Sequence, residues 1–259
     1  MKICVLIKQV PDKNSSLTIA EDQRSLEENN ITWVSNESDT YALEEALLIK
    51  EAHGGEVIAC TLGGESAGQV LKDAMAKGAD RSIFLSDSQF DSLDILSLAK
   101  VFASVLKSES FDLILSGLQS DDQGNSQLGL LLAELLGMSH ASLVMGTEVQ
   151  NDNTIKVKRE LEGGWFQWTT LSLPASISIQ SGINAPRYAT LKGIMMVKNK
   201  TTDQFSGQNI SAENISSKIK LEKLYVPKKS KETVFIDGTP DEIVGKLIDV
   251  FKNEIKVLS

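Results

Sequence analysis

Val57-Ile58-Ala59-Cys60-Thr61-Leu62-Gly63-Gly64-Glu65-Ser66 is the stretch that decides the fold. Its first half is a short apolar run without polar alternation, the pattern of a strand covered on both faces. Two glycines and a polar pair break the run, and a helix is expected over 67–76, closed by Lys77-Gly78. A third run at 82–85 completes a strand–helix–strand unit.

The same rhythm extends outward. Upstream, residues 3–7 form an apolar strand, and 43–52 follow helical spacing through Leu43, Ala46, Leu47 and Ile49. Asp39 or Thr40 is the expected cap, and Gly54-Gly55 the stop. Downstream, 94–108 place Ile95, Leu98, Val101, Phe102 and Leu106 on one helix face; 113–116 form a strand; a polar loop leads into a helix through Leu135 that Gly137 ends. Such alternation predicts a parallel sheet with right-handed crossovers. After residue 140 the texture changes: 156–164 read as a strand and tight turn, and 165–173 and 177–179 alternate like antiparallel strands. From Lys200 the chain is polar until Ile236. Thr239-Pro240-Asp241-Glu242 then starts a helix running to about Lys256, with Ile243, Leu247, Val250, Phe251 and Ile255 on one face. The expected fold class is α/β: a mostly parallel Rossmann-like sheet with flanking helices, an antiparallel extension, and a C-terminal arm ending in a helix. Composition divides it into an α/β domain at 1–200 and an arm at 201–259, which either packs on its own chain or docks on another subunit.

Composition limits the functions available. Hydrophobic residues make up 41% and charged residues 24% of 259, as in an ordinary globular protein. A net charge of -9 argues against nucleic acid or an anionic membrane as partner. Cys4 and Cys60 sit in apolar runs and read as buried free thiols; with His53 and His140 they make no metal site. No run reaches the ~20 apolar residues of a membrane span, and the N-terminal run is too short for a signal peptide. The expected location is cytoplasmic.

Ligands on parallel sheets bind at the carboxyl ends of strands, where three polar loops gather here: 9–12, 63–66 and 117–129. The last is the richest: Gly117-Leu118-Gln119-Ser120-Asp121-Asp122-Gln123-Gly124-Asn125-Ser126-Gln127. Helix-start amides could hold a phosphate there and the side chains could read a ribose or an adenine edge. Equally, the Asp and Asn residues could simply satisfy the loop's own backbone. The loop is neither a Walker A nor a G-x-G-x-x-G sequence. A second segment, Asn184-Ala185-Pro186-Arg187-Tyr188-Ala189-Thr190-Leu191-Lys192-Gly193-Ile194-Met195, carries Leu191 in what reads as a surface loop, with Gly193 supplying backbone freedom. Leu191 is either tucked over the core or an anchor for a partner protein.

These segments, in order, resemble the β subunit of electron-transfer flavoproteins. The matching pieces are 5–12 (VLIKQVPD), 36–51 (NESDTYALEEALLIKE), 76–81 (AKGADR), 117–129, 159–164 (RELEGG) and 184–194, together spanning about residues 2–200. Gln119-Ser120-x-Asp122-Gln123 and Tyr225-x-Pro227 are similar to the methylotroph-type bacterial branch. The resemblance implies a heterodimer whose α subunit carries most contacts to one FAD, while this chain buries a structural AMP. The matching AMP positions are Leu6, Asn36, Glu37, Ser38, Asp39, Leu62, Gly117, Gln119, Ser120, Asp122, Gln123, Gly124, Asn125, Ser126, Gln127 and Leu128.

The resemblance further implies that Tyr188, Leu191, Ile194 and Met195, within a recognition loop at 184–197, dock a primary flavoprotein dehydrogenase of acyl-CoA or amine type. It also implies that a membrane-associated quinone oxidoreductase reoxidises the flavin. Arg159 and Glu160 match a pair facing the mobile flavin domain, where Glu160 is either a transient ion-pair partner or a solvated strand charge. No catalytic acid or base is implied; the chain is an electron-carrier subunit. Bifurcating members, which hold a second FAD and meet NADH, carry an Asp-x-Asp-Thr-type loop. Here the stretch is Asp122-Gln123-Gly124-Asn125, and Leu128 stands at the later threonine. That departure favours AMP. A bifurcating subunit and a non-redox adenine-nucleotide-binding module are the alternatives.

Overall fold

The computed structural model describes residues 1–91, 93–151, 153–210, 215–228 and 233–257. Its first compact unit, Met1–Lys223, is built on a nine-stranded sheet. In chain order the elements are β1 (Lys2–Leu6), β2 (Gln9–Pro11), β3 (Trp33–Ser35), α1 (Glu37–His53), β4 (Glu56–Leu62), α2 (Gly68–Lys77), β5 (Arg81–Leu85), α3 (Ile95–Leu106), β6 (Leu113–Gly117) and α4 (Leu128–Leu136). Then follow β7 (Ser139–Asn151), β8 (Thr154–Glu160), β9 (Phe166–Ser172), β10 (Ala175–Ile179), α5 (Leu191–Met196) and β11 (Thr202–Phe205).

The sheet order is β11-β5-β4-β1-β6-β10-β7-β8-β9. From β11 to β7 every neighbouring pair is parallel, and β8 and β9 extend the sheet antiparallel. Chain order reverses beside β1: β4 and β5 lie on one side of it and β6 on the other. Side chains alternate across the sheet. Ile3, Val5, Val57 and Ala59 pack under α1 and α2, whereas Cys4, Leu6, Ile58 and Cys60 pack under α3 and α4. The expected three-layer α/β architecture is therefore present, with both cysteines buried and free. β2 and β3 form a separate two-stranded antiparallel sheet.

Several expectations are corrected. The first long helix begins at Glu37 with Asn36 at its N-cap position, so Asp39 lies inside the helix's first turn and is not its cap. Residues 177–179 are not antiparallel. They belong to β10, buried along its whole length and parallel to both β6 and β7, because a short apolar run looks the same in either setting until its neighbours are known. Residues 202–205 join the sheet as β11, where Arg81 pairs with Asp203 and Ser82 Oγ hydrogen-bonds Thr202 Oγ1. The first unit runs through this strand to Lys223.

The second unit, Leu224–Ser259, carries α6 (Pro240–Asp249) and a π-helical turn over Val250–Glu254. The capping box forms: Thr239 and Glu242 bond each other's backbone, with Pro240 in the first turn. Val244, Leu247, Ile248, Phe251 and Ile255 are exposed.

Candidate functional site

A cleft opens at the carboxyl ends of β1, β4 and β6, beside the point where strand order reverses, which is where open parallel sheets bind ligands. Counted with the open solvent at its mouth it spans about 710 Å³. Leu6, Leu62, Ile95, Leu98 and Phe102 supply an apolar wall. The loop between β6 and α4 supplies the polar side.

The structure brings most of the expected site residues to this cleft. Leu6, Asn36, Asp39, Leu62, Gly117, Gln119, Ser120, Gln123, Asn125, Ser126, Gln127 and Leu128 line it. Glu37, Ser38, Asp122 and Gly124 lie outside the lining and serve the loop behind it. Asn36 Nδ2 donates to the Gln119 carbonyl at 2.9 Å, and Ser38 Oγ donates to the same oxygen at 2.7 Å. Asn36 Oδ1 accepts from the Asp121 amide at 2.9 Å. The start of α1 thus fixes the start of the loop, and the polar atoms of Asn36 and Ser38 are engaged in doing so. Glu37 is solvent-exposed, 3.6 Å from Lys13 Nζ. Gly124 takes a positive φ of 62°, which turns the loop back.

Asp39 is the buried charge of the site. Its carboxylate accepts from the Lys8 amide at 2.8 Å and from the Gly117 amide at 2.8 Å, clamping the ends of β1 and β6 together. Burial pushes its pKa up to about 7, against the pull of these two donors. Lys8, which sequence reasoning did not select, crosses to the loop: its Nζ lies 2.7 and 2.6 Å from the two Asp122 oxygens. Burial raises the Asp122 pKa, but the Lys8 ammonium, the Ser120 hydroxyl and the Gln123 amide together outweigh it and hold the group below its ordinary value.

The mouth also offers unengaged donors. α4 has no side-chain cap, and among the described residues no side chain bonds the amides of its first turn. The Asn125 and Gln127 side chains line the cleft and make no hydrogen bond among the described residues. By contrast, Asp94 caps α3 by accepting from Ser97 N at 2.8 Å, and its other oxygen accepts from Lys218 N at 2.6 Å. Those donors, Lys218 first, hold its pKa down to about 2. Sequence periodicity identified Ile95, Leu98 and Phe102 as inward-facing but could not say that they face a cleft rather than the core.

The second expected region is an exposed apolar surface. Tyr188 is 94%, Leu191 76%, Ile194 56% and Met195 63% exposed. Leu191 is not in a loop: it opens the short helix α5, capped by Thr190 Oγ1 accepting from Gly193 N at 3.0 Å. Gly193 does not use its backbone freedom. A Cβ there would stand 2.1 Å from the Ala76 carbonyl, so the glycine lets α5 lie on the end of α2. The preceding segment is pinned to α1, where Arg187 chelates the buried Glu44 and reaches Glu51, and Asn184 bonds Glu45 and the Tyr41 carbonyl. Arg159 and Glu160 do not pair with each other. Arg159 Nε donates to the Ser142 carbonyl at 3.0 Å, and Glu160 accepts from Gln180 Nε2 at 3.1 Å.

Among the described residues no group of His, Cys, Asp and Glu could hold a metal, and no helix is long and apolar enough to cross a membrane. The family described as electron transfer flavoprotein domain matches residues 24–208. The electron transfer flavoprotein subunit beta of Methylophilus methylotrophus is 34% identical over 264 residues, covering 99% of each chain. That of Bacillus subtilis is 31% identical over 261 residues and covers all of both chains. The mitochondrial subunit beta of Arabidopsis thaliana is 34% identical over 260 residues, again covering both completely.

Proposed function

Because the chain belongs to the electron transfer flavoprotein family as a β subunit, we propose that it binds AMP in the cleft above β1 and β6. In this reading it pairs with an α subunit that holds most of one FAD, and presents the Tyr188–Leu191–Met195 surface to a primary flavoprotein dehydrogenase. The reading is supported above all by the cleft itself. An apolar wall of Leu6, Leu62, Leu98 and Phe102 suits the faces of a purine, the unengaged amides of Asn125 and Gln127 suit a base or ribose, and the uncapped start of α4 suits a phosphate. The residues present therefore fit a mononucleotide.

The chain's own work is positional. Asn36, Ser38 and Asp39 hold the loop and both strand ends in the geometry that receives the nucleotide. Arg187 and Asn184 hold the segment that carries Tyr188 and Leu191. The flavin supplies one-electron chemistry when bound. No acid or base of this chain takes part in a proton transfer, and the location is cytoplasmic. Arg159 and Glu160 face the flavin domain, and a quinone oxidoreductase takes the electrons.

The purified heterodimer, denatured and resolved by nucleotide chromatography, tests the reading. One AMP and one FAD per heterodimer are expected. Two FAD without AMP would turn the reading to a bifurcating subunit that meets NADH, and nucleotide without flavin to a non-redox module.

A further inference from the structure

We propose that Met195 and Met196 form a reversible oxidation site on the docking surface: hydrogen peroxide converts their thioethers to sulfoxides, and the oxidised surface releases the partner. The proposal rests on the docking reading above and names what regulates that surface.

The chain has six methionines, of which these two are exposed, at 63% and 44%. Met1, Met138 and Met145 are partly buried, and Met75 is buried. The seating of α5 dictates the difference. Gly193 and Val197, four positions apart, form its inner side: Gly193 meets the Ala76 carbonyl, and Val197 packs against the core. Lys200 then ties the chain to the end of α2, its Nζ donating to the Met75 carbonyl at 2.8 Å and to the Ala79 carbonyl at 2.6 Å. With that side seated, Leu191 and Met195, again four apart, share the outer side, and Met196 follows in the open. A methionine thus stands beside the exposed leucine.

Exposure selects where the chemistry falls. The thioether sulfur takes one oxygen from the peroxide: an S–O bond forms as the O–O bond breaks, and two electrons leave the sulfur. The departing hydroxide takes the proton of the transferred oxygen and leaves as water. Access to the sulfur governs this step, so Met195 and Met196 react ahead of the other four. Cys4 and Cys60 do not compete: both are fully buried, and burial pushes the Cys60 thiol up, away from the reactive thiolate. The consequence is local. A sulfoxide is polar, so seating it in an apolar pocket without a hydrogen-bond partner costs free energy where the thioether contributed it. Gly193, Val197 and Lys200, which hold α5 in place, are untouched.

The experiment exposes the purified heterodimer to increasing hydrogen peroxide, which is removed before assay. Peptide mass spectrometry quantifies sulfoxide at each methionine. Docking is read as KM and kcat for flavin reduction by the acyl-CoA dehydrogenase of the same cells. At the dose that converts Met195 and Met196, KM should rise about tenfold, the worth of one methionine in an apolar pocket. Melting temperature and kcat should not move. The two methionine sulfoxide reductases, one for each sulfur epimer, should reverse the rise. In a Met195→Leu, Met196→Leu double variant, KM should not rise on exposure, whatever its starting value. Sulfoxide forming first at another methionine, an oxidised heterodimer with the untreated KM, a rise that the reductases leave in place, or an equal rise in the double variant overturns the proposal. Leu191→Ala is assayed alongside: if its KM equals that of untreated wild type, the failure lies with the docking reading itself.

Discussion

The Gly117 amide donates to Asp39 Oδ1 at 2.8 Å, and a Cβ on that glycine would stand 2.4 Å from the same oxygen. The end of β6 can reach the clamp only because the residue there has no side chain. Gly117→Ala would also meet Ser38 Oγ at 2.2 Å and the Asp39 amide at 2.7 Å. All three obstacles belong to the α1 start, which cannot yield without moving the loop. The substitution should cost about 1–3 kcal/mol and reduce bound nucleotide. Urea unfolding together with nucleotide content checks this; an unchanged midpoint with full nucleotide would be the contrary result.

Asp39 should impose a pH dependence. Its folded pKa of about 7 lies above the ordinary 3.8, so between those values the folded state binds more protons than the unfolded state. Its contribution to stability is therefore largest near pH 4 and falls as the pH rises toward 7. Asp39→Asn has no such titration. The stability difference between wild-type and Asp39→Asn heterodimers should shift in favour of the variant across that window, read from unfolding midpoints at pH 4 to 8. A constant difference would show that Asp39 does not titrate there.

Leu191 is an exposed knob on a supported helix, so Leu191→Ala should weaken docking to a dehydrogenase about tenfold to a hundredfold, the worth of one leucine in an apolar pocket. Melting temperature and nucleotide content should not move. Gly193→Ala should weaken docking through a different route, by lifting α5 from the Ala76 carbonyl. Dehydrogenase-dependent flavin reduction reads both. A lowered melting temperature in Leu191→Ala with unchanged reduction kinetics would make the residue structural.

Arg187→Met should destabilise the fold by about 3 kcal/mol near neutral pH, because it strands the Glu44 carboxylate, whose side chain is only 7% exposed. Urea-unfolding midpoints read the loss; a midpoint equal to wild type would show that the segment is held without the guanidinium.

Truncation after Lys223 should leave a folded chain that keeps its cleft and no longer joins the α subunit, because α6 and its exposed apolar residues are removed. Truncation after Lys200 should be more damaging, since it also strips β11 from β5 and removes Phe205 from the core. Circular dichroism and co-purification with the α subunit separate the two. An α subunit still bound by chain 1–223 would count against the arm's assembly role.

The sequence by itself determined the strand–helix alternation, because apolar periodicity is a property of adjacent residues and survives without knowledge of partners. It also located the 117–128 loop, since a polar block between an apolar strand and an apolar helix marks the carboxyl end of a buried strand. Tertiary structure alone decided what depends on distant partners. The central place of β10, the entry of polar Thr202–Phe205 at the sheet edge, and the conversion of Asp39 from a helix cap to a clamp between β1 and β6 all rest on residues far apart in the chain. The same holds for Lys8 over Asp122, 114 positions apart, and for Gly193 against Ala76. No local pattern records such contacts, because either partner alone would suit an ordinary surface position equally well.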